Sequence, residues 1–173
     1  MRTFKLTSVA LLVAGAMFAQ GGPLVNSSKA VYGIAKNDVM RSAEKVPENL
    51  WSYRPTPEVR TMGELFAHVA DSQYEFCGAA ASQRPPDKNI EKTVKRKADI
   101  IAALKEAYAY CDGVFAKMTD ADAAQTVKFG GQSMAKLAVM DFNTAHTNEH
   151  YGNLVTYMRL NHIVPPSSEQ QGQ

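Results

Sequence analysis

Apolar residues recur at spacings of three and four along most of this chain, the spacing that places side chains on one face of an α-helix. The second predicted helix begins with a capping box of Thr61 and Glu64, and Ser133 is the predicted cap of the fourth. No segment shows the alternating pattern of a β-strand. The predicted helices cover residues 26–46, 61–82, 93–118 and 133–160.

Prolines and polar clusters separate these helices. Three prolines between residues 47 and 57 predict an ordered loop that packs Trp51 and Tyr53 onto the helices, and residues 119–132 form a second predicted loop. Four amphipathic helices in 173 residues favour an all-α fold, an antiparallel four-helix bundle with one core. Metal and cofactor sites in such bundles are usually built from side chains on facing helices.

The first 20 residues have the layout of a secretory signal peptide. Arg2 and Lys5 precede an apolar run from Leu6 to Phe18, and small residues lead to Ala19. This run is shorter than the roughly 20 residues of a membrane-spanning helix, which favours cleavage near Ala19 over a membrane anchor. The mature protein is expected to be exported, to the periplasm or the extracellular space, without a membrane span. The predicted organisation is a signal peptide at 1–20, a helical-bundle domain at 21–166 and a polar tail at 167–173.

Charge and cysteine content narrow the classes of partner. The net charge of +2 falls to near zero once Arg2 and Lys5 leave with the signal peptide. A nucleic-acid-binding protein would keep a basic surface, and the basic cluster at residues 92–97 is interpreted as the solvated start of a helix. A small-molecule substrate is therefore expected rather than nucleic acid, and a homodimer remains open. Cys77 and Cys111 either pair in an oxidising compartment or stay as buried thiols.

The fourth predicted helix contains two of the chain's four histidines, His146 and His150, in the segment HTNEH. Positions i and i+4 lie on one helix face, so both rings point to one place. A catalytic zinc-type site uses three protein ligands and leaves one position open. His68, within the second helix, is the candidate third ligand, whereas His162 lies where the fourth helix should end. The alternative is that each histidine is a surface or hydrogen-bonded core residue.

Polar residues near these histidines suggest further roles. Asp71, one turn after His68, is a candidate hydrogen-bond acceptor for a ligand N–H, and Asn143 and Asn153 are candidates to line the open position. Glu149 is a candidate catalytic base, although its rotation on the helix also fits a solvent-facing residue. HTNEH matches the H-x-x-E-H pattern of inverted zinc peptidases as well. Those enzymes need a downstream glutamate ligand, and Glu169 in the polar tail is a poor candidate.

The two histidine segments resemble those of a known family. HVADSQYEFC at His68, followed by HTNEHYGNLVTYMRLN, is similar to the DinB/YfiT-like family of small metal-binding helical bundles, and the similarity covers essentially the whole mature chain. In that family one histidine of the second helix and two of the fourth hold a divalent metal, which implies His68, His146 and His150 as ligands. Its members include thiol-dependent S-transferases, a maleylpyruvate isomerase type and proteins without a known reaction.

A three-histidine site with an open position is compatible with three functions. A metal-dependent hydrolase would activate a bound water, and a thiol S-transferase would place a substrate thiolate on the metal. A non-catalytic bundle would bind a metal or ligand for a structural or stress-related role. Imidazole ligands suit Zn²⁺, Ni²⁺ and similar ions, and the sequence does not distinguish among them.

Overall fold

The computed structural model describes residues 21–169 of the chain. These residues contain four long helices, a β-hairpin and several short helical turns. The predicted signal peptide at 1–20 lies outside the described residues. The long helices are α1 (Pro23–Lys45), α2 (Met62–Ala80), α4 (Lys97–Lys117) and α6 (Lys136–Leu160). The shorter elements are a 3₁₀ turn (Glu48–Leu50), α3 (Ile90–Thr93), α5 (Asp120–Ala123), β1 (Thr126–Phe129), β2 (Gln132–Ala135) and α7 (Pro166–Glu169).

The long helices form a bundle in which α2 packs against α4 and α6, and α1 packs against the same two helices. Ser28 bonds to Asp141 near the starts of α1 and α6, and Lys45 bonds to the Val164 carbonyl beyond their ends, so these helices run in the same direction. Tyr157, near the end of α6, donates to a backbone carbonyl just before α2, so α2 and α6 are antiparallel. The predicted all-α four-helix bundle is confirmed.

The observed helix starts agree with one of the two capping residues predicted from the sequence. The predicted capping box at α2 is present, because Thr61 accepts from the Glu64 N–H and the Glu64 carboxylate accepts from the Thr61 N–H. The prediction that Ser133 caps the fourth helix is wrong. Ser133 lies in β2, and α6 begins at Lys136 without a side-chain cap. The third predicted helix also starts later, at Lys97.

The loop predicted for residues 119–132 contains a helical turn and most of an antiparallel hairpin. The pairs run from Thr126 with Ala135 to Phe129 with Gln132. Gly130 and Gly131 form the turn at φ +57° and +78°, the left-handed backbone region that glycine adopts without steric cost. The expectation of no strand was therefore wrong. Strands of four residues are too short to show alternation, and the Gly-Gly pair was the available signal.

The core joins these elements through apolar packing and one covalent link. Trp51 is buried and packs on Phe66, with 5.1 Å between ring centroids, as predicted for the proline-rich loop. Cys77 of α2 and Cys111 of α4 form a disulfide with Cα atoms 5.4 Å apart, which resolves the two alternatives for the cysteines in favour of pairing. Across residues 21–169, the helices lack the combination of length and hydropathy that a membrane span requires.

Candidate metal centre

Three histidines converge between α2 and α6. His68 comes from α2, and His146 and His150 come from α6. Each offers a ring nitrogen, and these three nitrogens lie within 4.8 Å of one another. The ring centroid of His68 lies 5.2 Å from that of His146 and 4.7 Å from that of His150. We refer to these three residues as the histidine cluster.

The local sequence explains this convergence. His146 and His150 are one helical turn apart, and their rings are 4.4 Å apart on one face of α6. Because α2 runs antiparallel to α6, His68 in the first half of α2 meets the pair near the middle of α6. The side chains are half-buried or buried, so they lie at the edge of the core.

A carboxylate orients His68. The Nδ1 atom of His68 lies 2.9 Å from Glu91 Oε2, and Arg60 Nε donates to Glu91 Oε1 at 2.7 Å. Burial raises the pKa of Glu91, but the hydrogen bonds from Arg60 and His68 outweigh it and lower that pKa below its ordinary value. An ionised carboxylate only accepts hydrogen bonds, so Nδ1 of His68 carries the proton. The lone pair of neutral His68 is then on Nε2.

The expected partner of His68, Asp71, has a different role. Its two carboxylate oxygens accept the backbone N–H groups of Ile90 and Glu91, both at 2.9 Å. These are the first two residues of α3, so Asp71 anchors the single helical turn that carries Glu91. Asp71 therefore supports His68 through Glu91. Little in the sequence indicates this contact, because Glu91 lies 23 positions from His68, between the second and third predicted helices.

The rings of His146 and His150 are held neutral. Burial lowers the pKa of both, and the nearby histidines and Arg60 act in the same direction, so that the pKa of His150 falls to about 4. Exposed Glu149 opposes the shift at His146 without reversing it. Both rings therefore keep a nitrogen lone pair at neutral pH.

The hydrogen bonding of this pair is incomplete within the described residues. The Nε2 atoms of His146 and His150 face each other across 3.1 Å, and both Nδ1 atoms are buried without a partner. One bond between two neutral imidazoles uses one N–H and one lone pair, which leaves a second lone pair unsatisfied. A cation accepts lone pairs from both rings at once.

The donor set suits a divalent transition metal. A tetrahedral ion with bonds of about 2.0–2.1 Å separates its ligand nitrogens by roughly 3.4 Å, and the 3.1 Å between the two Nε2 atoms is close to that spacing. Three imidazoles are the ligand set that favours zinc and nickel over magnesium or calcium, which prefer oxygen. The positions of His68, His146 and His150 therefore fit the predicted divalent metal.

Other residues singled out from the sequence make no hydrogen bond to the cluster. Glu149 is exposed and makes no hydrogen bond to the three histidines, so its catalytic role stays a prediction. Asn143 is fully buried and donates to Gln73, so it does not have the expected position beside the open face, whereas Asn153 is exposed on α6 and its place there stays a prediction. His162 lies beyond α6 in a turn at φ +58° and does not join the cluster, as expected.

Comparison with known proteins places the chain in a family. The model of the DinB superfamily matches residues 34–154, which include all three histidines of the cluster. This chain therefore belongs to the DinB superfamily. No curated protein matches it significantly.

Solved structures share the fold at low sequence identity. A DinB-like protein from Bacillus cereus ATCC 10987 is 14% identical with a TM-score of 0.71, and the match covers 82% of this chain and 95% of that one. A DinB-like protein from Bacillus subtilis is 19% identical with a TM-score of 0.67, over 82% and 96%. A mycothiol-dependent maleylpyruvate isomerase is 12% identical with a TM-score of 0.63, over 75% of this chain and 60% of the isomerase. At these identities the likeness concerns the fold.

Proposed function

We propose that this DinB-superfamily chain binds one divalent ion, Zn²⁺, Ni²⁺ or a similar metal, and acts as a metal-dependent enzyme on a small molecule. The observation that carries the proposal is the convergence of three imidazoles whose ring nitrogens lie within 4.8 Å of one another, two of which, His146 and His150, have a lowered pKa. His68, His146 and His150 would hold the metal. Glu91 fixes the orientation of the His68 ring, and Arg60 holds Glu91.

The charge of the site favours an anionic fourth ligand. Three neutral imidazoles leave the full charge of a divalent ion in place, and such a charge lowers the pKa of a bound water or thiol. Glu91 does not neutralise that charge, because Arg60 forms an ion pair with it. The cluster would therefore support a hydroxide or thiolate nucleophile, which corresponds to a hydrolase or a thiol S-transferase. The fold shared with a mycothiol-dependent isomerase supports the thiol-using reaction.

Paired activity panels test this proposal. Metal-loaded protein is assayed for ester and amide hydrolysis and, separately, for exchange of low-molecular-weight thiols, with and without chelator. The matched control replaces all three histidines by alanine. We expect turnover in one panel that chelator abolishes and added metal restores. Turnover that persists in chelator or in the control variant would contradict a metal-dependent reaction.

One observation favours a non-catalytic alternative. Within residues 21–169, Glu91 is the carboxylate that hydrogen-bonds to the cluster, and it is already engaged by Arg60 and His68. A second carboxylate that is oriented by a hydrogen bond to the cluster, as a general base would be, is therefore lacking in the described region. In this alternative the metal stabilises the bundle or binds a ligand, and metal raises the melting temperature without turnover in either panel.

We also propose that the protein is exported after removal of a signal peptide near Ala19. The N-terminal pattern and the Cys77–Cys111 disulfide support this, since disulfides persist mainly in oxidising compartments. Expression of the full chain in a bacterium, followed by fractionation and mass measurement, tests the proposal. We expect a shortened chain in the exported fraction. An uncleaved chain in the cytoplasm would contradict it.

A further inference from the structure

An aromatic cluster adjoins the histidine cluster at its α6 side. Phe76 of α2 contacts the His146 ring with 5.3 Å between centroids. Phe76 also contacts Phe129 of the hairpin at 4.9 Å and Phe142 of α6 at 5.4 Å. We call Phe76, Phe129 and Phe142 the phenylalanine wall.

The wall presents apolar surface beside the proposed metal. Phe142 precedes His146 by one helical turn, which places their side chains about 5–6 Å apart at Cβ. Phe142 is 50% exposed and Phe129 is partly exposed, whereas Phe76 is buried beneath them. An exposed phenylalanine that contacts other aromatic rings offers a stacking surface to a ligand ring.

A cation lies near the other side of the cluster. Arg60 reaches Glu91 through Nε, and its two terminal amino groups donate to no acceptor within residues 21–169. The side chain is 41% exposed, so these groups remain available to a ligand. The guanidinium fork suits a carboxylate or a similar oxyanion.

Resting on the proposed metal site, we propose that its substrate class is small organic anions that carry an aromatic or bulky apolar group. The anionic group would lie at the metal and within reach of Arg60, and the apolar group would pack on Phe142 and Phe129. The charges near the open face support this. Glu91, the carboxylate that hydrogen-bonds to the cluster within residues 21–169, is paired with Arg60 and therefore offsets little of the charge of a bound divalent ion.

Equilibrium binding to the cobalt-loaded protein tests the proposal. Co²⁺ binds the same type of nitrogen site and gives visible absorption that reports a change in its ligands. The probes are 3-phenylpropanoate, propanoate and 3-phenylpropan-1-ol, titrated at saturating Co²⁺. We expect 3-phenylpropanoate to bind about tenfold more tightly than propanoate, because the ring gains aromatic contact, and we expect the alcohol to bind most weakly.

Two variants and a control assign this preference to the wall and the cation. Phe142→Ala should remove most of the tenfold preference and leave propanoate binding unchanged. Leu160→Ala, at a comparably exposed apolar position 56% exposed on the same helix, should preserve the preference. Arg60→Gln should lower the affinity for both carboxylate probes by about three- to tenfold, the range of a charged hydrogen bond at a partly exposed site.

The outcomes separate this inference from the metal site itself. Saturable Co²⁺ binding with equal affinities for the two carboxylates, or with the alcohol bound as tightly as 3-phenylpropanoate, would overturn the substrate class and leave the metal site intact. An equal loss of preference in the Phe142 and Leu160 variants would also overturn it. Failure of the protein to take up Co²⁺ would overturn the proposed function and this inference together.

Discussion

Two polar clusters lie close together in the α2–α6 interface, and they differ in how the protein satisfies their hydrogen bonds. Deep in the interface, Gln73 donates to Thr147 at 3.1 Å and accepts from Asn143 at 2.8 Å. We call these three residues the glutamine network. At the edge, His146 and His150 make one contact with each other and leave both Nδ1 atoms buried without a partner in the described residues.

This difference distinguishes polar residues that stabilise the fold from polar residues that bind a ligand. Buried polar groups are normally hydrogen-bonded, because an unsatisfied one costs about 1–3 kcal/mol. In the glutamine network the side-chain amide of Asn143 leaves one buried oxygen unpaired, but Gln73 uses both its amide nitrogen and its amide oxygen, and the network lies against the disulfide. In the histidine cluster both Nδ1 atoms of His146 and His150 are unpaired, and their Nε2 atoms share one contact that a bound metal would replace with two bonds. We therefore assign stability to the network and ligand binding to the cluster.

The largest predicted effect is the fall in metal affinity when one of the three histidines is removed. His150→Ala should lower metal affinity by more than the roughly 10- to 100-fold that loss of a residue supporting a ligand costs. His162→Ala is the matched control, because His162 is exposed and lies outside the cluster. Competition with a chromophoric chelator measures both affinities. Equal losses in the two variants would show that the ligand set is wrong.

Removal of the disulfide beside the glutamine network should lower the stability of the fold and leave the metal site nearly unchanged. The double substitution Cys77→Ala with Cys111→Ala removes a disulfide between residues 34 positions apart in sequence. It should lower the free energy of unfolding by about 2–5 kcal/mol. Metal affinity should change less than about threefold, because the histidines keep their positions on α2 and α6. Chemical denaturation and metal titration give the two values. A large loss of metal affinity in the folded variant would contradict this division of roles.

Acid should destabilise the metal-free protein through the histidine cluster. The pKa of His150 falls from an ordinary 6.5 to about 4 on folding, so the unfolded chain binds a proton more readily between these values. Stability is therefore fully present above pH 6.5 and is lost as the pH falls towards 4, by about 2–3 kcal/mol. Denaturation at several pH values measures this. His146→Gln with His150→Gln should flatten the profile, and an unchanged profile would contradict the neutral, buried state of these rings.

The smallest predicted effect concerns the orientation of the His68 ring. Glu91→Gln keeps an acceptor near His68 but removes the charge that fixes its tautomer, so metal affinity should fall by about tenfold, at the lower end of such effects. Glu149→Gln is the control, because Glu149 is exposed on α6 and makes no bond to the cluster. Isothermal titration compares the two. An equal change in both variants would mean that Glu91 acts only through general electrostatics.

Sequence reasoning predicted the parts of the molecule that depend on local spacing. The four long helices, the Thr61 capping box and the pairing of His146 with His150 follow from helical periodicity. The parts that it missed depend on contacts between distant positions. The role of Glu91 arises because Asp71 anchors α3 beside α2, and that contact leaves no periodic signal. The hairpin was missed because its strands are too short to alternate visibly.

If the histidine cluster holds one metal ion, elemental analysis of tag-free protein will detect that ion. Protein purified without chelator should contain about one equivalent of a divalent transition metal per chain, consistent with a three-ligand site. The variant that lacks all three histidines should contain almost none. Less than half an equivalent across independent preparations, even after incubation with Zn²⁺ or Ni²⁺, or equal metal content in the variant, would show that the histidine cluster is not a metal site.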